Sequence, residues 1–111
     1  MISWRCREDS MMLELQDLVQ RLEATGRQIL ETPTQLDLHR DLLQLIHQIS
    51  VLARAPDLPL FLRSGAKDIE TSAVRVARTL EAPAAPDLAE IVREMQASLE
   101  ALRSAIERGR A

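Results

Sequence analysis

The feature that most constrains this chain is the stretch 35–55, whose apolar side chains cover about twice the width that a surface helix needs. At about 100° per residue, most of these side chains fall on one side of a helix. They are Leu38, Leu42, Leu45, Ile46, Ile49, Leu52 and Ala53, with Leu36 and Leu43 on the margin. The stretch therefore predicts a helix enclosed by neighbours on both flanks.

Three further segments have the helical spacing of apolar residues and would supply those neighbours. They cover about 10–31, 58–81 and 87–108, and each of the four segments is roughly 20 to 24 residues long. Similar lengths and short connections predict an all-α fold, an antiparallel up-down-up-down four-helix bundle. One helix kinked at Pro33, in place of the first two, is the alternative.

Residues with strong preferences for helix ends predict where the helices begin and stop. Ser10 is the predicted N-cap of the first helix, and Thr32 with Gln35 fits a capping box for the second. Asp87 is the predicted N-cap of the fourth helix, and Gly109 is predicted to stop it.

Two glycines lie on apolar faces of predicted helices, Gly26 in the first and Gly65 in the third. A glycine inside a helix costs about 1 kcal/mol relative to alanine. We expect a close approach of another helix at these levels to compensate for that cost.

The length of 111 residues suits one domain, which we predict to span residues 11–108. Residues 1–10 lack helical periodicity and are predicted to form a flexible tail. The single cysteine, Cys6, cannot form an intrachain disulfide, and no apolar run approaches the roughly 18 residues of a membrane span. These features, with a basic content that is almost entirely arginine, predict a cytoplasmic and bacterial protein.

Charge and aromatic content narrow the classes of partner. The formal net charge is −3, which argues against nucleic acid as the main partner. Aromatic residues make up only 2% of the chain, too few for a base-stacking surface or an aromatic-lined pocket.

Arg40 and His47 lie seven residues apart on the polar side of the second helix, so both project the same way. The segment between them, RDLLQLIH, resembles the Arg-x4–6-His pattern of HEPN-type ribonucleases, small all-helical proteins that work as dimers. The resemblance implies His47 as general acid or base and Arg40 as a contact to phosphate or transition state. The structural alternative is two solvated polar residues on a helix surface.

His47 alone supports a second functional hypothesis. A solvent-facing histidine on the second of four helices resembles a histidine phosphotransfer domain, which implies that His47 carries the phosphoryl group. That family typically has Lys and Gly just after its histidine, whereas Gln48 and Ile49 follow here.

Metal and cofactor motifs are absent from the sequence. His39 and His47 are eight residues apart and project in different directions, and there is no Glu-x-x-His, Cys-x-x-Cys or His-Glu-x-x-His. We therefore predict neither a metal site nor a cofactor.

Four aliphatic residues exceed what a four-helix core requires. They are Leu36, Leu43, Leu60 and Val74. The last two lie on the polar side of the third helix, beside Arg63, Lys67 and Arg78. A further helix, from a second copy or from another protein, would cover them. The sequence thus predicts a non-enzymatic interaction or adaptor module that docks a protein partner or forms a dimer.

Overall fold

The protein is all-helical in a computed structural model, with no strand among the residues described. The structure describes the backbone of residues 3–32, 36–81 and 87–110, and the side chains of residues 10–32, 37–81 and 87–108. The helices are α1 (Ser3–Glu31), α2 (Leu36–Ala53), α3 (Leu60–Glu81) and α4 (Leu88–Arg110). The prediction of an all-α chain with four helices is confirmed.

Two of the predicted helix ends are wrong. α1 begins at Ser3, so Ser10 lies inside the helix and does not cap it. α4 continues through Gly109 to Arg110, because one glycine costs a helix only about 1 kcal/mol and no proline follows it. The flexibility predicted for residues 1–10 stays a prediction, as does the domain boundary at residue 11.

Other helix ends agree with the sequence pattern. The Asp87 carbonyl accepts the Ile91 N–H at 3.0 Å, as expected of an N-cap residue. At the end of α1, the Thr32 N–H and hydroxyl donate to the Gln28 carbonyl at 2.7 and 3.1 Å. The capping box predicted for α2, Thr32 with Gln35, depends on residues 33–35, which lie outside the described residues, so it stays a prediction.

α3 begins two residues later than the apolar pattern predicts. Pro59 disfavours helical backbone at the residue before it, so Leu58 stays in the connection, where it is buried. The Pro59 carbonyl then accepts the N–H groups of Leu62 and Arg63, each at 3.0 Å. The Arg63 guanidinium donates from Nε to the Leu58 carbonyl at 2.9 Å, which ties the connection to α3.

The core is formed by apolar faces of all four helices. α2 packs against both α1 and α3, and α4 closes the ring by contacting α3 and α1. The expected enclosure of α2 on both flanks is therefore confirmed. The largest fully buried side chains are Leu15, Leu18, Leu22, Ile29, Leu42, Ile49, Leu58, Leu62, Ile69, Met95, Leu99 and Ile106. At about 1.5–3 kcal/mol per fully buried large side chain, burial of this set is the main favourable term in folding.

Both glycines lie where α4 comes close. A Cβ built on Gly26 would be 3.2 Å from Met95 Cε and 3.5 Å from Val92 Cγ1. A Cβ built on Gly65 would be 2.7 Å from Leu102 Cδ1. The close approach predicted for these positions is confirmed.

Ion pairs connect neighbouring helices along their edges. They are Arg103–Glu23, Arg75–Glu94 at 2.8 Å and Arg54–Glu70 at 3.9 Å. The His39 imidazole also lies 3.7 Å from the Glu81 carboxylate. Partly exposed pairs of this kind contribute about 0–1 kcal/mol each to stability, much less than the core. Their positions show which sides of the helices meet.

The molecule measures 53 × 23 × 18 Å. In the part of the chain that the structure describes, no helix has the length and apolarity to cross a membrane.

Candidate functional site

Arg40 and His47 are both exposed on α2. They line one shallow depression together with Leu43, Gln44 and Gln48. Seven residues of helix separate the two side chains by about 10 Å along the axis. The pair can contact an anion, and the imidazole can accept or release a proton, but no carboxylate lines this depression beside it.

The second histidine lies apart from this depression. His39 is partly buried, and its Nε2 lies 3.7 Å from the Glu81 carboxylate, with no hydrogen-bond partner among the described residues. His39 and His47 therefore do not share a site. Within the described ranges, no group of three or more His, Cys, Asp or Glu side chains could hold a metal ion.

The surplus aliphatic residues differ in exposure. Leu60 is 72% exposed and Leu43 is 47% exposed. Single exposed leucines are ordinary on a protein surface, so the question is whether these share one surface. Val74 is partly exposed. The side chain of Leu36 lies outside the described residues.

Leu43 lies on the side of α2 that faces α3. His39 of α2 and Arg54, one residue beyond its end, mark that side. His39 lies near Glu81 of α3, and Arg54 lies near Glu70. Leu43 is four residues after His39 and eleven residues before Arg54, and both spacings return to the same side of a helix.

Val74 lies on the matching side of α3. Glu70 and Glu81 are the α3 residues that lie near Arg54 and His39. Val74 is four residues after Glu70 and seven before Glu81, so it lies on the same side of the helix. Lys67 and Leu60 precede Val74 by seven and fourteen residues, so they continue the same row along α3. The aliphatic side chains of the two helices therefore border one surface.

Exposed cations accompany these aliphatic residues. Arg40 is three residues before Leu43, and Arg78 is four residues after Val74. Among the described residues, no carboxylate forms an ion pair with Arg40, Lys67 or Arg78. We call this surface the α2–α3 face, defined by Arg40, Leu43, His47, Leu60, Lys67, Val74 and Arg78.

The side formed by α1 and α4 has a different character. Two of its arginines are paired with carboxylates, Arg103 with Glu23 and Arg21 with Asp17. Of the large apolar side chains described as exposed, α4 carries none and α1 carries Leu13 and Leu30, whereas α2 and α3 carry Leu43, Val51, Leu60 and Phe61. Exposed apolar surface is thus concentrated on α2 and α3.

Val51 is an exposed residue that the sequence reasoning missed, at 58% exposure. It follows His47 by four residues, so its position on the polar side of α2 could have been found from helical spacing alone. Leu13 of α1 is also 58% exposed, and helical spacing explains it in the same way, because it lies two residues before the buried Leu15 and therefore points about 160° away from it.

No protein family, curated protein or solved structure matches the chain. The candidate sites therefore rest on the residues and geometry of this protein alone.

Proposed function

We propose that the protein is a small non-enzymatic interaction or adaptor module, which docks a further helix on the α2–α3 face. The observation that carries the proposal is the exposure of Leu60 and Leu43 on adjoining rows that also include Val74. Apolar surface gathered on one side of a small protein is typical of a binding site, and two packed helices offer a groove for a third. The docked helix belongs either to a second copy, forming a dimer, or to another protein.

The proposal includes an antiparallel up-down-up-down four-helix bundle. Two contacts between α3 and α4 support it, because Gly65 lies against Leu102 while the later residue Arg75 pairs with the earlier residue Glu94. In such a bundle the α2–α3 face is a continuous strip, since neighbouring helices run side by side for their whole length.

The proposal also assigns the protein to a bacterial cytoplasm. The single cysteine, Cys6, is typical of a reducing compartment. Lys67 is the only lysine among 14 basic residues, and such a preference for arginine is typical of GC-rich bacterial genomes.

The experiment compares two serine variants of exposed leucines. A fluorescent amphipathic peptide with leucines on one side and glutamines on the other is titrated with the protein, and the protein's own mass is measured by light scattering across a concentration series. We expect peptide binding or self-association to be lost in the Leu43→Ser/Leu60→Ser variant. The Leu13→Ser variant is the control, because Leu13 is intermediate in exposure between Leu43 and Leu60 but lies on α1.

Binding that survives in Leu43→Ser/Leu60→Ser would place the docking surface elsewhere. A protein that stays monomeric and binds no amphipathic peptide would end the proposal. Thermal unfolding of each variant checks that the substitutions leave the fold intact.

A ribonuclease is the second candidate, favoured by the exposure of Arg40 and His47 in one depression. We expect His47→Ala to abolish cleavage of single-stranded RNA, since the imidazole would move the proton. Gln44→Ala, in the same depression, is the matched control. A protein that cuts no RNA, or a His47→Ala variant that cuts equally well, eliminates this candidate.

Phosphotransfer through His47 is the third candidate, and the exposure of this side chain is its only structural support. Its signature would be an acid-labile phosphoryl group on the wild-type protein, supplied by a phosphorylated response-regulator partner. The His47→Gln variant should not acquire this group. A wild-type protein that accepts no phosphoryl group from such partners eliminates it.

A further inference from the structure

We propose that the α2–α3 face binds an acidic amphipathic helix of another protein. This inference rests on the proposed docking function and names the chemistry of the partner. The face presents Lys67 and Arg78 along the same rows as Leu60 and Val74, and Arg40 next to Leu43. A helix with leucines on one side and flanking glutamates complements both features at once.

The dimensions of the face indicate a partner helix of ordinary length. Leu60 and Val74 are fourteen residues apart, which corresponds to about 21 Å along α3. On the other side of the face, Arg40 of α2 and Arg54, one residue beyond the end of α2, are also fourteen residues apart. A partner segment of about four turns would cover this strip, and segments of that length are common in peptides that fold into grooves.

The charge of the face argues against a second copy as the occupant. In a symmetric dimer the same patch meets itself. The surplus of cations on the face, where Arg40, Lys67 and Arg78 outnumber the exposed Glu81, would then meet an equal surplus on the partner. Like charges brought together across an interface cost several kcal/mol. A head-to-tail contact would need an exposed apolar row elsewhere on the molecule, and the described part of α4 has no large exposed apolar side chain. α1 exposes Leu13 and Leu30, but these are seventeen residues apart and differ by about 100° in direction, so they do not form one row.

The aliphatic content of the face argues for a protein partner over RNA. Leu43, Leu60 and Val74 lie among the cations and would remain uncovered beneath a sugar-phosphate backbone. Recognition of single-stranded RNA relies on aromatic side chains that stack on bases, and the chain has only Trp4 and Phe61.

The experiment uses three fluorescent probes and the full-length protein. The first is a helical peptide of about 18 residues with leucines on one side and glutamates flanking them, long enough to span the face. The second is the same peptide with lysines in place of the glutamates, and the third is a single-stranded oligoadenylate. Affinity is measured by fluorescence anisotropy at low and high salt.

Two charge-reversed variants locate the binding surface. Lys67→Glu/Arg78→Glu changes the α2–α3 face, and Arg93→Glu/Arg108→Glu makes the same change on exposed positions of α4. We expect the glutamate peptide to bind the wild type and the α4 variant alike. It should bind Lys67→Glu/Arg78→Glu about tenfold more weakly, because a tenfold loss corresponds to the 1.4 kcal/mol that a few exposed charge contacts supply.

The other outcomes overturn the inference in distinguishable ways. If the lysine peptide binds as tightly as the glutamate peptide and Leu43→Ser/Leu60→Ser still loses both, the acidic partner is wrong while the docking function stands. Tighter binding of oligoadenylate, weakened by Lys67→Glu/Arg78→Glu, would assign the face to nucleic acid. A dimer that the peptide disrupts would assign it to a second copy. If no probe binds and the protein is monomeric, the docking function falls as well.

Discussion

Leu42 and Leu43 show how sharply environment changes between adjacent residues of α2. Leu42 is fully buried, whereas Leu43 is 47% exposed. The cause is the turn of about 100° that an α-helix makes at each residue, which carries the second side chain away from the core. Chemically identical side chains therefore have different roles, one in stability and the other at the proposed docking surface.

The two leucines make a matched pair for a stability experiment. We expect Leu42→Ala to lower the free energy of unfolding by about 2–5 kcal/mol, through lost burial and the cavity that remains. Leu43→Ala should change it by about 0.5 kcal/mol or less, as is usual for surface positions. Urea denaturation followed by circular dichroism measures both, and equal losses would show that Leu43 is buried in solution, for example in a dimer.

At the scale of the helices, two glycines allow neighbouring helices to approach more closely than a larger residue would permit. Gly65 allows α3 to lie against Leu102 of α4, and Gly26 allows α1 to approach Met95. The two contacts differ in tightness: an added Cβ would lie 2.7 Å from Leu102 Cδ1 but 3.2 Å from Met95 Cε. Both side chains are buried, but the unbranched methionine has a flexible tip that moves readily, whereas the branched leucine side chain has less freedom to shift.

Alanine substitutions should therefore have opposite effects at the two glycines. Gly26→Ala gains up to about 1 kcal/mol of helix propensity against a small shift of Met95, so its stability should be unchanged or higher. Gly65→Ala gains the same propensity but overpacks the core at a cost of about 1–3 kcal/mol, so its stability should be lower. Thermal unfolding of both variants tests this order. If Gly65→Ala proved as stable as Gly26→Ala, α3 and α4 would lie farther apart in solution.

Helix ends were the least predictable part of the elements. Ser10 has an intrinsic preference for an N-cap, yet the backbone continues as helix on both sides of it because no proline or glycine interrupts residues 3–10. Pro59 had the opposite effect, since its restriction on Leu58 moved the start of α3 past the first apolar residue of the pattern. Propensity at one position is a weak local term, whereas a proline is a covalent restriction.

At the scale of the whole molecule, the proposed antiparallel arrangement makes a prediction about distances. Gln16 and Val19 line a cavity with Ile106 and Glu107, so the N-terminal half of α1 lies beside the C-terminal half of α4. The ion pair between Glu23 and Arg103 continues the same edge.

Electron paramagnetic resonance between two spin labels tests this arrangement. In a Cys6→Ser background, labels on Glu14→Cys and Arg108→Cys should lie within about 20 Å, since packed helices are about 8–10 Å apart. Labels on Glu31→Cys and Arg108→Cys should be farther apart, because the seventeen residues from 14 to 31 span about 26 Å. The reverse order of the two distances would exclude antiparallel packing of α1 and α4.

Composition and local periodicity by themselves determined that this protein has four helices, which sides of them are apolar, and that Gly26 and Gly65 are positions of close approach. These are properties of short segments, and the 3.6-residue repeat of the helix makes them readable from the residues alone. Only the tertiary structure decided which polar sides meet. It thereby placed Leu43 of α2 and Val74 of α3 on one surface, with cations that form no ion pair within the described part of the chain. That choice depends on the packing of all four helices together, since several pairings of the same apolar faces would bury similar area.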